Sequence, residues 1–359
     1  MVNHQPGNSA ENCLILRADA SVAIGTGHVM RCLALAEAWT ELNGRVIFVM
    51  AEGLPPIERR LRNAGMQILH LTAQRGSLAD AAETASLARS QNTHAIVIDG
   101  YDFADGFQNA LSKEGMSVLC IDDDGRYGRY DADFVLNQNV HARESLYVDR
   151  SPSTRLLLGT RHALLRSEFS QFVHLVRVAP ERAYHILITL GGTDEKNVTG
   201  LVVEALASLQ NEDFDATVLV GGSNPNFEVL ENAARSSQAR IRIVRDAKNI
   251  PELMAKADLA ICAAGSTTLE LALMGVPMLL LVIAGNQLAL ADQMHTLGAA
   301  KNLGWATDCS TQEISDALLH SISSREERAR LSAAARLLVD GRGAIRVAIA
   351  LRDSLFAHA

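Results

Sequence analysis

The stretch "DLAICAAGSTTLELALMGVPMLLLVI", residues 258–283, decides the fold. An apolar run ends at Ala264-Gly265-Ser266, a helical pattern follows, and Gly275-Val276-Pro277 leads into a second apolar run. Apolar runs without alternation mark strands buried on both faces. Strand, helix and strand at this spacing form the repeating unit of a parallel sheet. The same alternation recurs upstream in "AYHILITLGG" (183–192), "ATVLVGG" (216–222) and "ARIRIVRD" (239–246). A second series runs through "CLILRAD" (13–19), "RVIFVMAE" (45–52), "HAIVIDG" (94–100), "MSVLCIDD" (116–123) and "FVLNQN" (134–139). The pattern pauses after residue 160, and 359 residues suffice for two cores. The expected class is α/β, with two Rossmann-like parallel-sheet domains at 13–170 and 180–340. A last helix at 341–359 is expected to pack back on the first domain. Such sheets bind ligands beyond the carboxyl ends of their strands, so a cleft between the two domains is the expected site.

Composition narrows the partners. The chain is 48% hydrophobic and 21% charged, with a net charge of -8 and no dense Lys/Arg cluster. Nucleic acid is therefore not an expected partner. The longest apolar runs, such as "VPMLLLVIAG", are too short to span a bilayer. The polar start "MVNHQPGNSAEN" lacks the regions of a signal peptide and reads as a loose tail. The cysteines (Cys13, Cys32, Cys120, Cys262 and Cys309) are scattered and form no C-x-x-C pair, which fits buried thiols in a reducing compartment. A cytoplasmic protein is expected.

The loops at predicted strand ends carry the chemistry. Gly265, Ser266 and Thr267 precede a helix, whose first N–H groups and dipole suit a phosphate. Glu270, one turn in, reads either as a ribose ligand or as half of a Thr267-x-x-Glu270 capping box. Gly191, Gly192 and Thr193 close another strand. They either turn backbone N–H groups toward a ligand or only let the chain turn. Asn286 and Gln287 follow the strand "MLLLVI" on the same side.

In the first domain "IGTGHVMRCLALAEAW" (24–39) has Gly25 and Gly27 but Met30 where a dinucleotide fingerprint needs glycine. His28 stands at a helix start, where the dipole disfavours imidazolium and leaves the neutral form a general base needs. A packed histidine is the alternative. Cys32, Leu35, Ala36 and Trp39 share one helix face, and Gly44 reads as its stop. Asp99 and Tyr101 in "IDGYDF" lie just past a strand, with Asp99 as site residue or turn residue. Asp122, Asp123 and Asp124 read as a solvated turn rather than a cation site.

In order along the chain, "RADASVAIGTGHVMRCLALA", "IDDDGRYGRYDADFVLNQN", "LLGTRHALLRSEF", "ITLGGTDEKN" and "AAGSTTLELALMGVP…NQ" resemble the UDP-sugar hydrolases of pseudaminic acid biosynthesis. These are relatives of the peptidoglycan N-acetylglucosaminyltransferase. The resemblance spans residues 14–300 and implies a GT-B fold. It implies hydrolysis of UDP-2,4-diacetamido-2,4,6-trideoxy-β-L-altropyranose to UDP and the free sugar, with no metal or other cofactor. It further implies UDP held by Gly265, Ser266, Thr267 and Glu270. His28 would be the base, Tyr101 and Asn286 would be site positions, and the small-molecule UDP-sugar would be the partner. A glycosyltransferase of the same fold, using an acceptor hydroxyl in place of water, is the alternative.

Overall fold

A computed structural model of the chain describes residues 12–192 and 194–356. The polar start and Thr193 therefore lie outside the described residues, apart from Asn12. The chain divides into two units, one running to Ser167 and resuming at Arg342, the other Glu168–Gly341.

Among the described residues the first unit carries β1 (Cys13–Ala18), β2 (Arg45–Met50), β3 (Gln67–His70), β4 (Ala95–Asp99), β5 (Ser117–Ile121), β6 (Phe134–Asn137) and β7 (Arg155–Leu158). They form one parallel sheet in the order β3-β2-β1-β4-β5-β6-β7. Helices α1 (Gly27–Glu41), α2 (Pro55–Asn63), α3 (Leu78–Ser90) and α4 (Phe107–Lys113) make the crossovers between the first five strands. The second unit carries β8 (His185–Thr189), β9 (Asp215–Val220), β10 (Arg240–Arg245), β11 (Leu259–Ala263), β12 (Met278–Val282) and β13 (Lys301–Trp305). Its sheet is also parallel, in the order β10-β9-β8-β11-β12-β13. Helices α5 (Val198–Ser208), α6 (Phe227–Ser236), α7 (Ile250–Lys256), α8 (Thr267–Leu273) and α9 (Leu288–Thr296) connect these strands, and α10 (Thr311–Ser323) and α11 (Arg325–Arg336) follow. Helix α12 (Gly343–Phe356) returns to the first unit.

The strand order reverses between β1 and β4 in one unit and between β8 and β11 in the other. Loops leaving neighbouring strands there part to opposite faces and leave a crevice at the carboxyl edge. His28 follows β1 and Tyr101 follows β4. Gly191 follows β8 and Gly265 follows β11.

Helix α1 is held on several sides. Cys32, Leu35, Ala36 and Trp39 are buried, as are Leu33 and Ala34. Helix α12 packs on α1, so Val347, Ala348 and Leu351 join Leu14, Leu33 and Trp39 in one apolar cluster. The close seat of α12 needs Gly343, where a Cβ would lie 2.3 Å from the Ala163 backbone. The stop of α1 differs from the sequence reading. Asn43, at φ 61°, takes the left-handed position, and the Gly44 N–H closes back on the Trp39 carbonyl at 3.0 Å. This is a Schellman motif with asparagine at the turn. Gly44 is small for another reason: a Cβ there would lie 2.2 Å from the Trp39 ring.

Three strands escape the sequence reading: β3, β7 and β13. Each is an edge of its sheet, at most half-buried along much of its length. An edge strand needs no continuous apolar run, which is the signal that exposes the central strands. Among the described residues no helix is long and apolar enough to cross a membrane.

Candidate functional site

In the first unit the chain leaves β1 through a tight turn in which the Gly25 N–H donates to the Ser21 carbonyl at 2.9 Å. Gly25 has φ 77°, a left-handed conformation that favours glycine. At Gly27 a Cβ would meet no atom within 4 Å, so packing within the protein does not require glycine there. His28 follows in the first turn of α1 and is 7% exposed. Burial pushes its imidazole below the ordinary histidine value, against the opposing pull of Asp99. The α1 dipole acts in the same direction as burial. The imidazole is therefore neutral near neutral pH.

Tyr101 stands edge-on to His28, with ring centroids 4.4 Å apart and planes at 90°. Its hydroxyl donates to Asp123 Oδ2 at 2.8 Å. Burial and the Asp123 charge push this phenol far above its usual range, so it remains a donor. Arg31 lies three residues beyond His28 on the same face of α1. Its Nε and Nη2 grip both oxygens of Asp99, at 2.6 and 2.7 Å, and its Nη1 reaches Asp123 at 2.7 and 2.9 Å. Asn139 Nδ2 adds a third donor group to Asp123, at 2.8 Å. Burial alone would raise the Asp123 carboxyl, but the Arg31 charge and these donors hold it well below the carboxylate range. Arg126, bidentate on Asp124, lies 3.8 Å from the Tyr101 ring centroid.

This arrangement corrects the reading of Asp122 to Asp124 as a solvated turn. Asp122 and Asp123 are buried at the end of β5, and only Asp124 faces solvent. Asp122 accepts from the Tyr130 hydroxyl and from the backbone of Asp124 and Gly125. Asp99 is likewise no ordinary turn residue, since it ends β4 with both oxygens on Arg31. Among the described residues no group of three or more His, Cys, Asp or Glu side chains could hold a metal ion. Arg31, Asp123, Asn139 and Arg126 are absent from the residues expected from sequence. A signal was present for Arg31: it is a lone cation in the apolar run "HVMRCLALAEAW". Asp123, as one of three consecutive acids, carried none.

In the second unit Gly191 has φ 100° with open space around it, in the loop after β8. Gly192 approaches the loop after β9 so closely that a Cβ on Gly221 would lie 1.8 Å from its carbonyl oxygen. Asp194 accepts from the Val198 and Thr199 backbone N–H groups at 2.9 and 2.7 Å, which secures the start of α5. After β11, Gly265 has no neighbour that a Cβ would meet, and its carbonyl accepts from Thr268. Helix α8 begins at Thr267, and its N-cap Ser266 makes no capping bond from its side chain. The N-cap is thus Ser266, one residue before the Thr267 that a Thr267-x-x-Glu270 box would place there, whereas Ser310 and Glu313 form a capping box at α10. Glu270 stands in the first turn of α8. Asn286 and Gln287 lie in a 3-10 turn after β12, where the Gln287 side chain accepts from the Ile283 N–H at 3.1 Å. The structure thus gathers Gly25, Gly27, His28, Asp99 and Tyr101 at the carboxyl edge of one sheet. Gly191, Gly192, Gly265, Ser266, Thr267, Glu270, Asn286 and Gln287 lie at that of the other.

Residues 185–341 match the family model for the glycosyltransferase family 28 C-terminal domain. Among solved structures, MurG of Acinetobacter baumannii is similar with a TM-score of 0.63 and 17% identity, over 95% of this chain and 99% of that one. The fold is GT-B. The UDP-2,4-diacetamido-2,4,6-trideoxy-β-L-altropyranose hydrolase of Campylobacter jejuni is 26% identical over 259 residues, 72% of this chain and 86% of its own. An uncharacterized protein of Methanocaldococcus jannaschii is 25% identical over 269 residues, 73% of this chain. The match takes in 54% of that relative, so the chain spans about half its length.

Proposed function

We propose that the chain hydrolyses a nucleotide sugar, UDP-2,4-diacetamido-2,4,6-trideoxy-β-L-altropyranose, to UDP and the free sugar. The observation that carries this reading is His28: a buried, neutral imidazole at the start of α1, beside the β1/β4 reversal. Water attacks the anomeric carbon as His28 takes its proton. The bond from that carbon to the UDP oxygen breaks, and UDP leaves with the electron pair. A positioned base of this kind contributes about 10²–10⁴-fold. In this reading the second unit holds UDP through Gly265, Ser266, Thr267 and Glu270, where fixed N–H donors meet the charge developing on the leaving group. The open backbone at Gly265 and the N-terminus of α8 directly after it support that role. Gly25, Gly27, Asp99, Tyr101, Gly191, Gly192, Asn286 and Gln287, with Thr193 outside the described residues, would line the substrate. Similarity to the Campylobacter hydrolase over 72% of this chain supports the substrate class. No step is routed through a metal, and a cytoplasmic location fits a nucleotide-sugar substrate.

The test incubates the purified chain with the UDP-sugar, without acceptor or metal, and follows UDP release. Absence of release would sink the hydrolase reading. The match to a glycosyltransferase domain favours a second reading, transfer to an acceptor hydroxyl. Release only when an acceptor is supplied would select it.

The pH profile is a further check. Burial lowers the His28 pKa, so the base stays deprotonated at pH values that would protonate an ordinary histidine. Activity should be lost only as pH falls through this lowered value. The acidic limb of kcat/KM is thus expected below ~6.5, the ordinary histidine pKa. A limb at or above that value would argue against His28 as base.

A further inference from the structure

We propose that Arg31 and Asp123 are positioning residues that set the orientation of the His28 imidazole through Tyr101. The inference rests on the reading of His28 as base. Among the described residues neither ring nitrogen of His28 has a hydrogen-bond partner, so no carboxylate fixes its orientation as in a His–Asp pair. What it meets is the Tyr101 ring, edge-on at 4.4 Å.

That ring is itself held. Its hydroxyl donates to Asp123 Oδ2, and Arg126 stacks on its face. The Asp123 carboxylate cannot turn away, because Arg31 Nη1 and Asn139 Nδ2 also bond it. Arg31 is anchored by both oxygens of Asp99 at the end of β4. The contacts form a closed loop. His28 and Arg31 share a face of α1, Arg31 holds Asp123, Asp123 holds Tyr101, and Tyr101 returns to His28. The guanidinium suits this task, since its planar fork engages two carboxylates at once where an ammonium would not. Tyr101 then acts through its ring, with its proton committed to Asp123.

The test uses the full chain and the UDP-release assay. Tyr101→Phe keeps the ring and removes the tether. Asp123→Asn keeps the side-chain shape and removes the charge. A base displaced by a fraction of an ångström to about 1 Å loses rate by up to ~10²-fold. Both variants are expected to lose about tenfold or more in kcat, with KM little changed. Asp123→Asn should in addition move the acidic limb to lower pH, because the Asp123 charge favours imidazolium. Tyr101→Phe leaves that charge in place and should keep the wild-type limb, so its loss in kcat at unchanged KM reports the orientation of His28 rather than its pKa. Wild-type kcat in Tyr101→Phe overturns the proposal. So does a loss in Tyr101→Phe beside full kcat in Asp123→Asn, which would place the hydroxyl's role elsewhere. Should Asp123→Asn not fold, Tyr101→Phe decides alone, since it removes only the hydroxyl and keeps the ring. His28→Ala separates the two levels. If it is inactive while Tyr101→Phe is fully active, the base reading stands and the relay falls. If His28→Ala turns over normally, both fall.

Discussion

His28→Ala is expected to lower kcat by about 10²–10⁴-fold, while UDP affinity stays at the wild-type level. The two readouts part because the proposed roles lie in different units. The proposed base stands at the start of α1, and the proposed UDP ligands Gly265, Ser266, Thr267 and Glu270 follow β11. The substitution is gentle on the fold. Alanine is the best helix former, and no hydrogen bond to the His28 ring is lost among the described residues. What disappears is the packing against Tyr101, a contact worth on the order of 1 kcal/mol. Steady-state UDP release gives kcat, and calorimetric titration with UDP gives affinity. Imidazole added to the assay offers a further check, because a small base entering the vacated space would restore part of the rate. Near wild-type kcat in His28→Ala would remove this residue from the mechanism. Loss of UDP binding would show that the variant acts on more than the base.

The central strands and their alternation with helices were legible because a strand buried on both faces must be apolar throughout. Strands β4, β5, β11 and β12 are buried along nearly their whole length and stand out on that account. The edges β3, β7 and β13 did not stand out, since one side of each ladder and much of their surface faces away from the core. The glycines and His28 were legible from a local pattern, two glycines and a histidine ahead of a helix. The charged network behind His28 was not, because it is non-local. Asp99, Asp123 and Asn139 are brought to Arg31 by three different strand ends, and their separations in sequence carry no period. A buried carboxylate and a solvated one look alike in sequence, and only the arrival of Arg31 distinguishes Asp123 from Asp124. The same holds for Arg17, a fully buried cation inside the strand "CLILRAD".

Asp80→Ala is expected to cost the first unit about 3–5 kcal/mol of stability, the penalty of leaving a buried charge without its partner. Arg17 and Asp80 are both fully buried. Arg17 Nε and Nη2 donate to the two Asp80 oxygens at 2.9 and 2.6 Å. Asp80 also accepts from the Gly76 N–H and the Thr84 hydroxyl. The remaining Arg17 nitrogen lies 2.7 Å from Asp19, whose other oxygen takes the Ala51 and Glu52 N–H groups. One guanidinium thus ties α3 to the ends of β1 and β2, at the root of the loop that leads to His28. With alanine at position 80 the guanidinium keeps Asp19 as its one carboxylate among the described residues, with the Phe103 ring 5.6 Å away, and water cannot reach it without opening the sheet. The two tryptophans allow the loss to be read unit by unit, since Trp39 reports on the first unit and Trp305 on the second. Urea unfolding followed by Trp39 fluorescence in a Trp305→Phe background should show the midpoint fall. Calorimetry should show the second unit's transition nearly unmoved. The double variant Arg17→Met with Asp80→Leu should recover most of the loss, because replacing a buried pair by apolar side chains of similar volume is close to neutral. A cost below about 1 kcal/mol for Asp80→Ala, the range of an exposed pair, would mean that the side chains find water and that the pair does not hold the loop. Full recovery of stability with impaired UDP release in the double variant would assign the pair a second task. Its charges would then keep Asp19, and through it the turn before His28, in place.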